Sequence, residues 1–211
     1  MTNLDTIASK RGKQKILILA LGLVWLGIVG AGMFLMLTYA NSPGPAGSPP
    51  GTWPETSQVP HDPKLPTLLM FLHPHCPCSR ASVGELALLM AHCQGRVAVH
   101  LLFLQPTELD SNWVLTDTWT DAGQIPGVTV HRDHAGREAR LFGAETSGET
   151  ALYDTKGLLM FHGGITISRG HSGDNPGRDT LQALLLGTPA QLANTPIFGC
   201  SLFECKMTGQ P

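Results

Sequence analysis

The sequence is poor in charged residues, in cysteines and in aromatic side chains. Asp, Glu, Lys and Arg make up 14% of its 211 residues, and the formal net charge is −2. Proteins that bind nucleic acid need a basic surface, so the composition gives no support to a nucleic-acid partner. Five cysteines are too few for a small domain built on disulfides. Their odd number leaves at least one thiol unpaired within the chain.

One long segment carries no charge at all. Residues 16–39 are apolar or uncharged, and about 20 such residues suffice to cross a ~30 Å hydrocarbon core. Basic residues precede this segment at Lys10, Arg11, Lys13 and Lys15. The positive-inside rule then places residues 1–15 in the cytoplasm. The alternative is a cleavable signal peptide, since Thr38–Ala40 resembles a cleavage site, but such apolar regions usually span only ~7–15 residues. We predict an uncleaved signal-anchor, a single-pass transmembrane helix in the inner (cytoplasmic) membrane. Under either interpretation the rest of the chain lies in the periplasm, an oxidising compartment.

A segment rich in proline follows the apolar one. Residues 40–64 combine many prolines with small polar residues, a composition typical of an extended, semi-rigid linker with little to bury. Trp53 is its one large apolar residue, with two possible resting places, the membrane interface and the domain. We predict a folded domain over residues 65–187 and a C-terminal tail with two cysteines over residues 188–211.

Apolar periodicity predicts an α/β domain. Short apolar runs predict strands at 68–72, 97–104, 128–131, 150–154 and 158–162, and helical spacing predicts helices after Ser79 and at 108–122, 137–142 and 179–186. Ser79 or Ser82 is expected to cap the first helix, since Ser82 and Glu85 have the form of a capping box. Asp179 is expected to cap the last one. Strand–helix alternation followed by a hairpin and a helix favours a sandwich with a mixed sheet.

Cys76, Pro77 and Cys78 stand where the first strand gives way to the first helix. A helix N-terminus has unpaired N–H groups and a positive potential, so a thiol there is biased toward the nucleophilic thiolate. We predict Cys76 as the nucleophile. Cys78 is a candidate for resolving a mixed disulfide formed at Cys76, and the alternative is that Cys76 acts alone.

Downstream residues complete a family pattern. The Cys-x-Cys-Ser motif is followed, at matching spacing, by Asp133, Gly136, Ala139, Phe142, Gly143, Ala144, Tyr153, Asp154 and Gly157. Over about residues 65–186 the chain resembles the membrane-anchored thioredoxin-like proteins of bacterial envelopes, the TlpA and ResA kind, and within them the RedB-like subgroup. The resemblance implies a thioredoxin-like three-layer α/β/α sandwich with redox-active cysteines. It also implies thiol–disulfide oxidoreductase activity on a thiol or disulfide protein partner, with no cofactor.

Three positions depart from the family pattern. The family's resolving cysteine falls on Ser79, with Cys78 one place earlier, and its buried acid falls on Ser82. Its cis-proline falls on Gly148. Because a cis bond before a non-proline residue costs roughly 2.5–4 kcal/mol, we expect the Ser147–Gly148 bond to be trans. The resemblance implies that Ser147 and Gly148 form the substrate-binding backbone. The departures put ordinary dithiol reductase activity in question, but they do not affect the predicted fold or the predicted nucleophilic thiol.

Histidines beside the cysteines give a metal site as the alternative. The compact set of imidazole and thiolate donors is His73, His75, Cys76 and Cys78. Such donors suit Cu(I) or Zn(II). Copper chaperones of the Sco type combine a thioredoxin fold with an envelope anchor, a cysteine pair and a distant histidine, for which His162 or His171 is available. The Sco cysteines have three residues between them, whereas this chain has one.

The remaining features leave their roles open. Cys200 and Cys205 have three options: a structural disulfide, which we prefer, a thiol that folds back to Cys76, or a metal site. Cys93 is expected to lie in the core. The glycine-rich residues 163–177 form either a substrate or partner loop or an ordinary surface loop. A non-catalytic thioredoxin-like assembly factor is a third possible function.

Overall fold

The computed structural model describes residues 2–190 and 192–203, with side chains from Gln14 onward. The chain divides into two compact units, one through Asn41 and one from Ser42 onward. The first unit is a single helix, α1 (Thr2–Ala40). Its stretch Gln14–Ala40 is long and apolar enough to cross a membrane, by length and composition. The helix covers the apolar segment predicted from the sequence.

The second unit is built on a mixed five-stranded sheet. Its strands are β1 (Thr67–Leu72), β2 (Ala98–Gln105), β3 (Val128–His134), β4 (Glu149–Tyr153) and β5 (Leu159–Gly163). Its helices are α2 (Pro77–Cys93), α3 (Asp117–Gly123), α4 (Arg137–Leu141) and α5 (Pro176–Leu186), with a 3-10 turn at Ser111–Val114. The strand order is β3-β2-β1-β4-β5. The first three strands are parallel, β4 is antiparallel to β1, and β5 is antiparallel to β4. This architecture confirms the predicted α/β sandwich with a mixed sheet.

Strand β1 lies at the centre of the sheet and is buried on both sides. Leu68, Met70 and Leu72 belong to the core on the side of α2 and α5. Leu69 and Phe71 belong to the core on the side of α4. Burial of alternate side chains on both faces explains why β1 is an unbroken apolar run. The strand therefore delivers the cysteine motif at the carboxyl edge of a rigid central element.

Helix α2 begins earlier than the capping pattern predicts. Its N-cap is Cys76 and its first residue is Pro77, whose fixed φ suits the first helical position. The predicted caps at Ser79 and Ser82 are therefore wrong, since both residues lie inside the helix and are buried. Glu85 does not complete a capping box and turns toward α5 instead.

A buried ion pair joins α2 to α5. The Glu85 carboxylate accepts hydrogen bonds from Arg178 Nη1 at 2.6 Å and from the Gly173 N–H at 2.7 Å. Helix α5 is capped by Asn175, whose side chain accepts from the Arg178 N–H. The predicted cap, Asp179, lies in the first turn of the helix. The ion pair fixes the glycine-rich loop between β5 and α5 against the helix that carries the cysteines.

Much of the proline-rich segment packs on the domain. The Gly47 N–H donates to the Glu149 carboxylate at 3.1 Å. Trp53 places its ring 5.0 Å from the ring of Phe142. The prediction of a linker with little to bury is therefore wrong for residues 44–59. Proline already restricts this chain in the unfolded state, so ordering it costs less entropy than ordering a flexible chain.

Candidate functional site

Cys76 occupies the turn between β1 and α2. Its N–H donates to the His73 carbonyl at 3.1 Å, and its backbone is extended, with φ −84° and ψ 122°. The sulfur therefore stands before the first helical turn, where N–H groups have no intrahelical partner. The residue is 5% exposed. This placement confirms the predicted position of Cys76 at a helix N-terminus.

The sulfur of Cys76 meets a thiol from the C-terminal tail. The Sγ atoms of Cys76 and Cys200 lie 2.7 Å apart, although 124 residues separate them in sequence. Both are free thiols. Of the three options for the tail cysteines, this arrangement is the thiol that folds back to Cys76. Cys205 lies outside the described residues.

Backbone hydrogen bonds hold the tail beside the segment that precedes β4. The Ser147 N–H donates to the Cys200 carbonyl, and the Leu202 N–H donates to the Glu145 carbonyl, each at 2.8 Å. Ile197 and Leu202 are buried on either side of the cysteine. The tail thiol is thus held by the fold itself and needs no covalent link to stay in place.

The electrostatics of the pair favour a thiolate at Cys76. The hydrogen bond with the Cys200 thiol lowers the pKa of Cys76 to about 5, against the effect of burial and with help from the N–H groups of Cys200, Cys78 and Ser79. The same hydrogen bond, burial and the charge on Cys76 raise the pKa of Cys200. At neutral pH the pair therefore holds one negative charge, on Cys76, and one proton, on Cys200.

Cys78 lies in the first turn of α2 and is buried. Burial and the negative charge at Cys76 raise the pKa of Cys78, and the Arg169 guanidinium opposes this rise. Arg169 also donates to the carbonyls of Ser42 and Gly199. A single cation therefore connects the glycine-rich loop with the tail, next to the thiols. Cys78 itself is a protonated neighbour of the thiolate at neutral pH.

Two buried serines join the cysteine motif to the segment before β4. The hydroxyls of Ser79 and Ser147 lie 2.8 Å apart. Ser79 donates its proton to the His73 carbonyl, so Ser147 is the donor between the two hydroxyls. Ser147 Oγ also accepts from the His73 N–H at 2.9 Å. Ser79 stands where the TlpA and ResA pattern has a resolving cysteine. Its hydrogen bonds stabilise the turn that carries Cys76.

Position 148 requires glycine, the residue without a side chain. Its φ is +90°, and a Cβ atom there would lie 2.7 Å from Ser82 Oγ. The described residues contain no cis peptide bond, which confirms the predicted trans bond between Ser147 and Gly148. The Ser147 N–H donates to the Cys200 carbonyl of the tail. The substrate-binding role of Ser147 and Gly148 stays a prediction.

His73 and His75, the two histidines before Cys76, form hydrogen bonds with groups other than the thiols. His73 Nδ1 accepts from the His75 N–H at 3.2 Å. Burial lowers the pKa of His73, although the charge at Cys76 acts in the opposite direction. His75 Nε2 lies 2.9 Å from the Trp113 carbonyl, and the two rings are 4.5 Å apart. His73 is thus a neutral neighbour of the thiolate at pH 7 and not an imidazolium partner.

The predicted copper or zinc ligands do not converge. His162 Nε2 lies 2.6 Å from Glu149 Oε1, and that carboxylate also accepts from the N–H groups of Glu145 and Thr146. Among the residues whose side chains are described, no group of three His, Cys, Asp or Glu side chains could hold a metal ion. The alternative site therefore does not fit the donors proposed for it, which were His73, His75, Cys76, Cys78, His162 and His171.

A surface depression of about 440 Å³ reaches Cys76. Its wall includes Pro74, His75, Arg80, Thr116 and Asp117. Cys76 lies on the wall of this depression, although the residue is 5% exposed.

Sequence reasoning missed two residues that shape the site. Arg169 was part of a loop whose role was left open, and nothing in the loop's sequence indicates that it reaches the tail. Glu149 had a usable signal, because an acidic residue beside a buried apolar strand needs a partner. Its partners are His162 on the neighbouring strand and the N–H groups of Gly47, Glu145 and Thr146.

Strand order, strand direction and thiols at the carboxyl edge of the central strand define a thioredoxin-like fold. No family model and no curated protein sequence matches the chain. Among solved structures, it is similar to a hypothetical protein from Sinorhizobium meliloti, with 19% identity, a TM-score of 0.56 and coverage of 77% of this chain and 96% of that one. It is also similar to an uncharacterized conserved protein from Geobacillus kaustophilus, with 19% identity, a TM-score of 0.54 and coverage of 77% and 92%. A secreted disulfide oxidoreductase from Mycobacterium tuberculosis matches at 14% identity with a TM-score of 0.44, over 60% of this chain and 84% of that one. At 19% identity the likeness to the first two structures establishes the fold alone.

Proposed function

We propose that the chain is a membrane-anchored thiol–disulfide oxidoreductase of the TlpA and ResA kind, in the RedB-like subgroup. In this proposal α1 is an uncleaved anchor in the inner membrane, residues 1–15 are cytoplasmic, and the thioredoxin-like domain faces the periplasm. Its partners are proteins that bring a disulfide or a dithiol. The subgroup rests on motif spacing, and the topology rests on the basic residues before the apolar helix.

One observation carries the proposal, namely the 2.7 Å contact between Cys76 and Cys200. A thiolate at a helix N-terminus beside a protonated thiol is the reduced form of a dithiol/disulfide couple. The two sulfurs need little movement to form a bond. We therefore assign Cys76 as the nucleophile and Cys200 as the resolving thiol.

The reaction follows from this arrangement. The Cys76 thiolate attacks a disulfide sulfur of the partner, the partner's S–S bond breaks, and its second sulfur leaves as a thiolate. Cys200 then loses its proton and attacks the Cys76 sulfur of the mixed disulfide, which releases the partner's first sulfur. Two electrons pass from the couple to the partner, and a Cys76–Cys200 disulfide forms.

The sequence-based candidates for the resolving thiol were Cys78 and a tail cysteine, Cys200 or Cys205. Cys200 is preferred because its sulfur is in direct contact with Cys76 and its backbone is held there by Ser147. Cys78 is fixed within a helical turn, where a bond to Cys76 closes a small ring with strained geometry.

The test uses the full-length protein in detergent micelles and the reduction of insulin disulfides by dithiothreitol. We expect Cys76→Ser to abolish turnover and Cys200→Ala to accumulate a mixed disulfide on Cys76. Cys78→Ala serves as the matched control, because it removes a buried neighbouring thiol without touching the contact, and it should still form the Cys76–Cys200 disulfide. Equal turnover by Cys76→Ser and the parent protein would refute the function.

A further inference from the structure

The two thiols of the couple differ in their access to solvent. Cys76 is 5% exposed, whereas Cys200 is partly exposed. When the two are joined in a disulfide, an incoming thiol can attack either sulfur. The fold therefore offers two different sulfurs to a reducing partner, and they are not equally easy to reach.

The direction of attack is constrained by what lies behind each sulfur. Displacement at sulfur requires the incoming sulfur, the attacked sulfur and the leaving sulfur to lie nearly in line. A thiol that attacks Cys200 approaches from the side away from Cys76. A thiol that attacks Cys76 must approach from the side away from Cys200. Of the two residues, Cys200 is the more exposed and Cys76 is buried, so a thiol partner meets Cys200 first.

The leaving group favours the same choice. A thiol–disulfide exchange is faster when the departing sulfur has the lower pKa. Attack at Cys200 releases Cys76, whose pKa is lowered to about 5 by its surroundings. Attack at Cys76 releases Cys200, whose pKa is raised.

We propose that a thiol partner reduces the oxidised protein by attacking Cys200, whereas a disulfide partner is attacked by Cys76. This inference rests on the proposed function and deepens it, since the two classes of partner use two different sulfurs. The disulfide partner reaches Cys76 through the depression lined by His75, Arg80 and Asp117. The thiol partner attacks Cys200 at the surface of the C-terminal tail.

The electrons balance for a dithiol partner. Its first thiolate bonds to Cys200 Sγ, the Cys76–Cys200 bond breaks, and the electron pair of that bond stays on Cys76 as a thiolate. The partner's second thiolate then attacks the partner sulfur of the mixed disulfide, and Cys200 leaves and takes up a proton. The partner is oxidised to a disulfide by two electrons, and the couple is reduced.

The test locates the first mixed disulfide with glutathione as the thiol. Oxidised full-length protein in detergent micelles is mixed with glutathione for short times and quenched with acid. Free thiols are then blocked with N-ethylmaleimide, and the peptides are mapped by mass spectrometry. The parent chain and a Cys78→Ser, Cys205→Ser variant are run in parallel, and fragment ions separate Cys76 from Cys78 in the parent. Extrapolation to zero time removes later rearrangement.

We expect glutathione on Cys200 and maleimide on Cys76, with a preference of roughly tenfold or more from the leaving-group effect. Glutathione on Cys76, or an even distribution, would overturn the inference and leave the oxidoreductase intact. Peptide mapping before glutathione is added shows whether the Cys76–Cys200 disulfide has formed, which distinguishes failure of the proposed couple from failure of this inference. If oxidation does not produce a Cys76–Cys200 disulfide, the proposed couple is wrong and the inference falls with it.

Discussion

Replacing Cys200 by alanine removes the largest influence on the thiolate. The hydrogen bond with the Cys200 thiol is the main cause of the lowered pKa of Cys76. Without it, burial of Cys76 is opposed by the backbone N–H groups at positions 78, 79 and 200 and by the Cys78 thiol, which is hydrogen-bonded to Cys76. We expect the pKa of Cys76 to rise from about 5 toward the ~8.5 of a free cysteine.

The effect of this pKa change on the reaction rate of Cys76 depends strongly on pH. If the pKa returned fully to ~8.5, the thiolate fraction at pH 7 would fall by roughly 30-fold, but each thiolate would become about 25- to 55-fold more nucleophilic for a Brønsted coefficient of ~0.4–0.5. The two effects nearly cancel, so the rate of Cys76 with a disulfide reagent at pH 7 should change by no more than about twofold. At pH 5 the fraction falls by roughly 1,600-fold, and the rate should drop by about 30- to 60-fold.

The assay is the pH dependence of the reaction between the reduced full-length protein and dithiodipyridine, followed at the Cys76 peptide by mass spectrometry. Cys78→Ala is the matched control, since it removes the other thiol hydrogen-bonded to Cys76 and keeps the contact with Cys200, which is the main cause of the lowered pKa. Its profile should keep a midpoint near that of the parent. An unchanged midpoint in Cys200→Ala would show that the tail thiol does not stabilise the charge at Cys76.

Three further outcomes are expected. Arg178→Met leaves the fully buried Glu85 carboxylate without its cation. This change should lower the free energy of unfolding, measured by guanidinium unfolding in detergent, by about 3 kcal/mol. A loss below about 1 kcal/mol would contradict the stabilising role of the ion pair. Gly148→Ala should destabilise the domain by about 1–3 kcal/mol through its backbone angle and the contact with Ser82 Oγ. Ser82→Ala in the same chain removes that oxygen and should recover only the part due to the contact. The reduced protein should lose more stability than the oxidised protein as the pH falls from about 8.5 to about 5, because the folded pKa of Cys76 lies below the unfolded value and this thiol cannot titrate in the oxidised protein. Equal losses in the two forms would contradict this prediction.

The parts of the fold that the sequence predicts are those set by local pattern. The apolar run of β1, the change to helical spacing and the proline between two cysteines place Cys76 at a helix N-terminus without knowledge of the rest of the chain. Cys93 was expected in the core because it lies on the apolar side of α2, and it is fully buried. The stretch 108–122 was predicted as one helix but holds a 3-10 turn and the start of α3, since Thr116 caps a new helix through Trp119.

The parts that the sequence does not predict depend on contacts between distant segments. Nothing in the residues around Cys200 indicates that the tail returns to the cysteine motif, because its backbone pairs with Ser147 by hydrogen bonds that carry no side-chain signature. The packing of Trp53 likewise depends on an aromatic cluster formed only in the folded domain. Composition describes such segments as linker and tail, although their side chains and backbone complete the domain.

The separation of 124 positions between the paired thiols has a consequence for biogenesis. At ribosomal speeds of ~5–20 residues per second, Cys76 is synthesised roughly 6 to 25 s before Cys200. During that interval the only other cysteines of the nascent chain are Cys78 and Cys93. If the domain is delivered into the periplasm, as proposed above, it meets oxidants before its final pair exists. Correct maturation then requires an early cross-link to be exchanged, or oxidation to wait until the end of the chain arrives.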